Sequence, residues 1–272
     1  MGAKAVLTRS GFYIAGLIRA CSRLLIRCSL CVALTPVSAS AQERFDDRLW
    51  GVDLLVLLSA GPVLLGADLN VGLSTPPGPE ETRSELDRME LISSRLRAEE
   101  ADRIIMEAAA EPEQLLFDAG FIPSRGEAPE LWGLLEAATG EATYFALREK
   151  RRFARARPTQ IRPRIGAVIP IPPHPAYPSG HSTQIHTVSG LLEVMYPACA
   201  EAYRLFAAGV AFRREIAGVH FPSDTRAGEL LAHTLVSHLI AHPTLSAPFL
   251  AGSEQLATHV RSGGCQGPEA LR

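Results

Sequence analysis

Three short segments hold side chains whose types and spacing suit the handling of an oxyanion and a proton. In the first, Lys150 is followed after six residues by Arg157-Pro158. In the second, Pro178, Ser179, Gly180 and His181 stand together. In the third, Arg214 is followed after five residues by His220, and His220 after three by Asp224. Pro178 stops any helix before it, and Ser179-Gly180 opens the helix that follows. Backbone N–H groups at a helix start are unpaired, and the helix dipole favours an anion there. Gly180 lets an anion approach the backbone closely, and His181 falls in the first turn beside it. An ordinary first-turn histidine and a plain Ser179 cap are the competing reading. Pro222 fits an early position of the next helix, with His220 just before it. Asp224 then folds back to accept from one imidazole nitrogen, which fixes the tautomer and leaves the other nitrogen as a nucleophile. The bland alternative is a carboxylate stabilising a helix start. Arg214 offers a planar fork matched to two phosphate oxygens, and Lys150 a compact charge. Together these groups are what phosphoryl transfer without a metal requires, because such reactions proceed largely by positioning and charge stabilisation.

The elements that must position these groups read as helices. From Ser84 to about Ala110 apolar residues recur near a 3.6 period, at Leu86, Met89, Leu91, Ile92, Leu96, Ile104 and Ile105. Pro112 is expected to end that helix. Further helices are expected over about 129–154, 180–195, 198–217 and 222–240. Residues 157–178 contain seven prolines and read as a long functional loop. Residues 42–83 read as an extension with little regular structure, residues 84–252 as the helical domain, and residues 253–272 as a fraying tail. The chain shows no internal repeat.

The three segments resemble the signature of the phosphatidic acid phosphatase type 2 superfamily, which includes bacterial class A non-specific acid phosphatases and vanadium haloperoxidases. The family pattern is Lys, six residues, Arg-Pro; then Pro-Ser-Gly-His; then Ser-Arg, five residues, His, three residues, Asp. This chain departs from it at one place, where Arg213 stands for the usual Ser. The resemblance implies an all-α, single helical-bundle domain and a phosphoric monoester hydrolase, closest to the class A acid phosphatases. It implies His220 as nucleophile forming a phosphohistidine, Asp224 as its orienter and His181 as general acid. Lys150, Arg157, Ser179, Gly180 and Arg214 would hold the phosphate oxygens, with no metal or other cofactor. Arg213 either faces solvent or adds a contact to substrate. A vanadium haloperoxidase is the alternative enzyme, although the chain is short for that class. A non-catalytic protein binding anions or nucleic acid through its basic stripe is the third reading.

Composition bounds the remaining choices. The 272 residues are 47% hydrophobic and 6% aromatic, a bias that suits packed helices. The net charge of −2 argues against a dedicated nucleic-acid or membrane-surface protein. Charge is uneven, however: Arg148 to Arg164 carries eight basic residues and one acidic one, Glu149. An anionic ligand and a merely solvated basic helix face are the two readings of that stripe. The start reads as a leader. Arg9, Arg19, Arg23 and Arg27 precede the apolar run Cys28 to Leu34, and Ala39-Ser40-Ala41 makes a small-residue cleavage pattern. Residues 1–41 are therefore expected to act as a signal peptide, giving a periplasmic or secreted protein without a membrane span. Cys199 and Cys265 would remain after cleavage, and an oxidising compartment permits a bridge between them. His174 and Tyr177 are expected near the mouth of the site. His186, His233, His238, His242 and His259 have no ligand spacing and read as ordinary histidines. The expected partners are small phosphate monoesters, with a symmetric homo-oligomer as the default assembly.

Overall fold

The computed structural model describes residues 44–263 and Cys265, which lie in one compact unit. The expected signal peptide falls outside the described residues. Nine α-helices occur among them: α1 (Val52–Ala60), α2 (Pro79–Ala109), α3 (Pro112–Asp118), α4 (Pro129–Phe153), α5 (Pro158–Ile161), α6 (Gly180–Met195), α7 (Ala200–Ile216), α8 (Pro222–Ile240) and α9 (Ser246–Gly263). No described residue lies in a β-strand, and the one isolated bridge pairs Arg44 with Arg155. No described helix is long and apolar enough to cross a membrane.

Helix α6 is the hub of the bundle, packed against α4, α7 and α8, while α9 covers α4 and α2 covers α7. Its apolar face (Ile185, Val188, Leu191, Leu192) meets Leu134, Leu135, Ala138 and Phe145 of α4 and Leu231 and Leu235 of α8 in one buried cluster. Proline marks the first turn of α2, α3, α4 and α8, where its missing N–H costs nothing. Two glycines make the close approaches that the site depends on. A Cβ on Gly228 of α8 would lie 2.7 Å from the Ser179 carbonyl oxygen, so glycine is what lets α8 reach the start of α6. Gly218 sits at φ +82°, and a Cβ there would meet the Gly166 carbonyl at 2.2 Å. That turn carries the chain from α7 to His220.

The structure departs from the sequence expectations at both ends. Residues 42–83 include α1 and the first turn of α2, and they are strapped to the bundle. The carboxylate of buried Glu141 on α4 accepts the N–H groups of Val63, Leu64 and Leu65, at 2.6, 2.8 and 3.1 Å. Arg148 donates to the carbonyls of Ala67 and Leu69, and the Tyr177 hydroxyl to that of Ser74. Pro112 does more than end α2, since it opens α3. Residues 253–263 of the expected tail form the second half of α9, where Leu256 and Val260 are buried. Cys199 and Cys265 form a disulfide that holds Cys265, just beyond α9, beside the start of α7.

Candidate active site

The three segments converge on one cavity of about 290 Å3, lined among others by Lys150, His174, Gly180, His181, Arg214 and His220. The site is assembled from the end of α4, the proline-rich loop, the start of α6, the end of α7 and the turn before α8.

His220 is buried, and its two ring nitrogens have different partners. Nδ1 lies 3.3 Å from Asp224 Oδ2, and Nε2 lies 3.0 Å from Arg157 Nη1. Arginine only donates, so Nε2 carries the lone pair and Nδ1 the proton that Asp224 accepts. This is the tautomer a nucleophile needs. Burial, followed by Arg157, Lys150 and Arg214, holds the His220 pKa well below its usual 6.5 and keeps the ring neutral.

Asp224 is itself held on every side. Oδ2 accepts the Phe221 N–H at 2.9 Å, Oδ1 accepts Arg155 Nη1 at 2.7 Å, and the Asp224 carbonyl accepts the Ser179 N–H at 2.9 Å. Asp224 thus caps α8 and bonds to the His220 ring at the same time. Arg155, which the spacing argument did not single out, joins Asp224 Oδ1 to Glu85 Oε2 on α2, 2.9 Å away, and lies 3.8 Å above the Phe221 ring. Ser223 completes the clasp by donating its N–H and its hydroxyl to Glu85.

Arg214 is the exception to this pairing. Its side chain is 1% exposed, yet Nε, Nη1 and Nη2 have no hydrogen-bond partner. Burial lowers its pKa from 12.5 to about 10, with Glu107 opposing and Arg213 reinforcing the shift. Buried charged donors are costly to leave unpaired, and this fork lines the same cavity as the His220 ring. Gly180 and His181, the first two residues of α6, line the same space, and the unpaired N–H groups of a helix start favour an anion. Arg157 is fully buried, with Nε on the His174 carbonyl, Nη1 on the Val219 carbonyl and on His220, and Nη2 on His174 Nδ1. Burial brings its pKa to about 9, against the pull of Asp224. His181 is pushed down to about 3 by burial and then by Arg214, Lys150 and Arg157.

Two of the residues expected to contact phosphate, Lys150 and Ser179, have hydrogen-bond partners within the protein. The Lys150 ammonium donates to the carbonyls of Pro175 and Ala176, at 2.9 and 3.0 Å, and also to that of Pro178. An ammonium has three N–H bonds, so all of them are engaged and Lys150 reaches the cavity by charge and by its alkyl stem. The Ser179 hydroxyl accepts the Ser182 N–H and caps α6, the plainer of its two readings. Arg213 neither faces solvent nor points into the cavity. It is buried, with Nε 2.9 and 2.8 Å from the two Glu107 oxygens, and ties α7 to α2. His174 lines the cavity as expected, whereas Tyr177 is buried against Phe153 and bonds to the strap. The basic stripe divides by residue. Lys150, Arg155 and Arg157 turn inward, while Arg152, Arg162 and Arg164 make surface ion pairs with Glu149, Asp87 and Glu90. No cluster of three or more His, Cys, Asp or Glu side chains able to hold a metal ion occurs among the described residues.

No curated protein matches the chain. A solved structure described as that of the first bacterial vanadium-dependent iodoperoxidase matches with a TM-score of 0.61 at 18% identity, over 73% of this chain and 60% of that one. The chain thus spans under two thirds of that protein, and at such identity the likeness is one of fold. A family model described as the PAP2 superfamily matches residues 131–243, a span that contains Lys150, Arg157, Ser179, His181, Arg214, His220 and Asp224.

Proposed function

We propose that the protein is an acid phosphatase that hydrolyses phosphate monoesters through a phosphohistidine on His220. The observation that carries this reading is the buried, unpartnered Arg214 fork in a cavity shared with His220, whose Nε2 carries the lone pair. A tetrahedral oxyanion supplies the missing acceptors and neutralises the clustered cations. It also competes for Arg157 Nη1, which in the empty cavity covers the lone pair.

The chemistry then runs in two displacements. In the first, the Nε2 pair attacks phosphorus while the P–O bond opposite breaks; its electrons pass to the alcohol oxygen, which takes a proton from His181. In the second, water attacks the phosphohistidine, His181 accepts the water proton, and the P–N electrons return to Nε2. Asp224 stabilises the positive charge that builds on the ring in the first step. His181 is neutral in the empty site. A bound phosphoryl group cancels the cations that depress its pKa, and the ester, whose second ionisation is near pH ~6, brings a proton with it in acid. Activity therefore falls as pH rises past that range.

A vanadium haloperoxidase is the second reading, favoured by the fold likeness to the iodoperoxidase. Vanadate is also a tetrahedral oxyanion. Arg214, the first-turn N–H groups of Gly180 and His181, and His220 Nε2 are the groups that would hold it, and bound there it supplies activation of peroxide. The cavity favours the ester because most of its remaining wall is apolar, room that an alcohol moiety needs and peroxide does not. The expected location is the periplasm or outside the cell. The test is hydrolysis of p-nitrophenyl phosphate near pH 5 with chelator present, beside His220→Ala. Activity that survives chelation and vanishes in the variant supports the proposal. Halide oxidation that appears only with vanadate and peroxide, without ester hydrolysis, replaces it with the second reading.

A further inference from the structure

The part of the cavity wall that does not face the oxyanion is built from unusual material for an enzyme of sugar or polyol phosphates. The charged and imidazole side chains of the lining are the site residues Lys150, His174, His181, Arg214 and His220. Much of the remainder is apolar: Leu54 from α1, Ala108 from the end of α2, Ala146 and Leu147 from α4, and Ile169 and Pro172 from the loop. Two other polar side chains line it, Thr143 and Gln184, and they are bonded to each other. Gln184 Nε2 donates to Thr143 Oγ1 at 2.7 Å, and that hydroxyl donates to the Thr139 carbonyl, also at 2.7 Å. Of these two side chains, the Gln184 carbonyl oxygen, one of its amide hydrogens and one lone pair of the Thr143 hydroxyl are left for a substrate hydroxyl.

The Leu54 wall is fixed in place. The Gly51 N–H donates to the Pro173 carbonyl at 2.8 Å, the Trp50 ring lies 6.4 Å from that of His174, and Leu54 packs with Phe45, Trp50 and Leu147. A hydroxylated leaving group entering this space loses more hydrogen bonds to water than it gains from Gln184 and Thr143, whereas an apolar one buries surface on both sides. At about 290 Å3 the cavity is near the small end of ligand sites, with room for a phosphoryl group and one ring-sized substituent.

We propose that this wall is a leaving-group subsite for an apolar alcohol, so that aryl and short alkyl phosphates are preferred over sugar and polyol phosphates. The proposal rests on the phosphatase reading, and the test separates the two. Cyclohexylmethyl phosphate and glucose 6-phosphate are both esters of a primary alcohol on a six-membered ring, and they differ mainly in hydroxyls. Calorimetric titration of each into His220→Ala reports binding without turnover, while hydrolysis by the wild type reports the reaction separately. The expected result is about 100-fold tighter binding of the cyclohexylmethyl ester. Leu54→Gln in the same background is expected to reduce that ratio about tenfold. Equal binding, tighter binding of glucose 6-phosphate, or binding of neither ester overturns the subsite whether or not the wild type hydrolyses them. A retained preference with no hydrolysis by the wild type leaves the subsite standing and removes the phosphatase.

Discussion

Arg214→Met is expected to make the empty protein more stable and the enzyme far less active, and the opposite signs are the point. Methionine keeps most of the length and apolar volume of the arginine stem while removing a charge that has no hydrogen-bond partner. The drop in the Arg214 pKa from 12.5 to about 10 amounts to roughly 3 kcal/mol against the charged form, at 1.36 kcal/mol per tenfold. The side chain is almost wholly buried, so solvent screens little of this. Part of the gain is lost to imperfect packing of methionine, leaving about 1–3 kcal/mol of added stability. For a domain of this size each kcal/mol raises Tm by about 2–4 °C. Phosphate, by contrast, loses two charge-assisted hydrogen bonds, so orthophosphate affinity and kcat/KM should each fall by about 100- to 1000-fold. Thermal melts with and without saturating orthophosphate, and p-nitrophenyl phosphate kinetics, read both effects. The wild type should gain stability from orthophosphate and the variant almost none. A variant that is less stable by more than about 1 kcal/mol and binds phosphate normally would refute the reasoning, because Arg214 would then be a structural tie.

Arg155→Met leaves both Asp224 and Glu85 without their buried cation, and should lower kcat by at least about tenfold with little change in KM while costing about 3–5 kcal/mol in urea unfolding. An unchanged kcat would show that Asp224 keeps its place without it. Acid stability carries a sign that His181 sets. Its folded pKa of about 3 lies below the ordinary 6.5, so the unfolded chain takes up this proton first, and stability is full above about pH 6.5 and declines as pH falls toward 3. Melts between pH 7 and 4 should show a shallower decline for His181→Gln by up to about one proton, and for wild type with orthophosphate; parallel slopes would contradict the assignment. Arg213→Ser, which installs the residue usual in the family, removes the close partner of buried Glu107 and should cost about 3 kcal/mol or more. Arg213→Ser combined with Glu107→Gln should recover most of that loss in the same urea titration.

The motif region was legible because its signals are local. Ser179 as cap and Pro222 at the helix start mark the beginnings of α6 and α8, and both helices run to the bounds that the sequence suggested. Helix α1 escaped notice because its residues Leu54–Leu58 are apolar on every side, which gives no amphipathic period. Helix α9 escaped because Ala, Gly and Ser dilute the apolar positions Leu256 and Val260. Pairings across the sequence were beyond reach on physical grounds. Arg155 lies 70 residues from Glu85, and Arg213 lies 106 from Glu107. Nothing in a local pattern distinguishes such arginines from their solvated neighbours Arg151 and Arg152. The bonds that Lys150 makes were beyond reach for the same reason, since the carbonyls that hold it arrive from 25 to 28 residues away.

Those carbonyls give Lys150 a further consequence. Peptide oxygens carry partial negative charge, and three of them meet at one ammonium that forms part of the cavity wall. Left bare, the trio would confront an incoming anion with like charge at close range. The lysine acts as an insulator around a patch of backbone that the proline-rich loop would otherwise turn against its own substrate. An arginine would not serve there, because a flat fork cannot cover three oxygens that converge on a point.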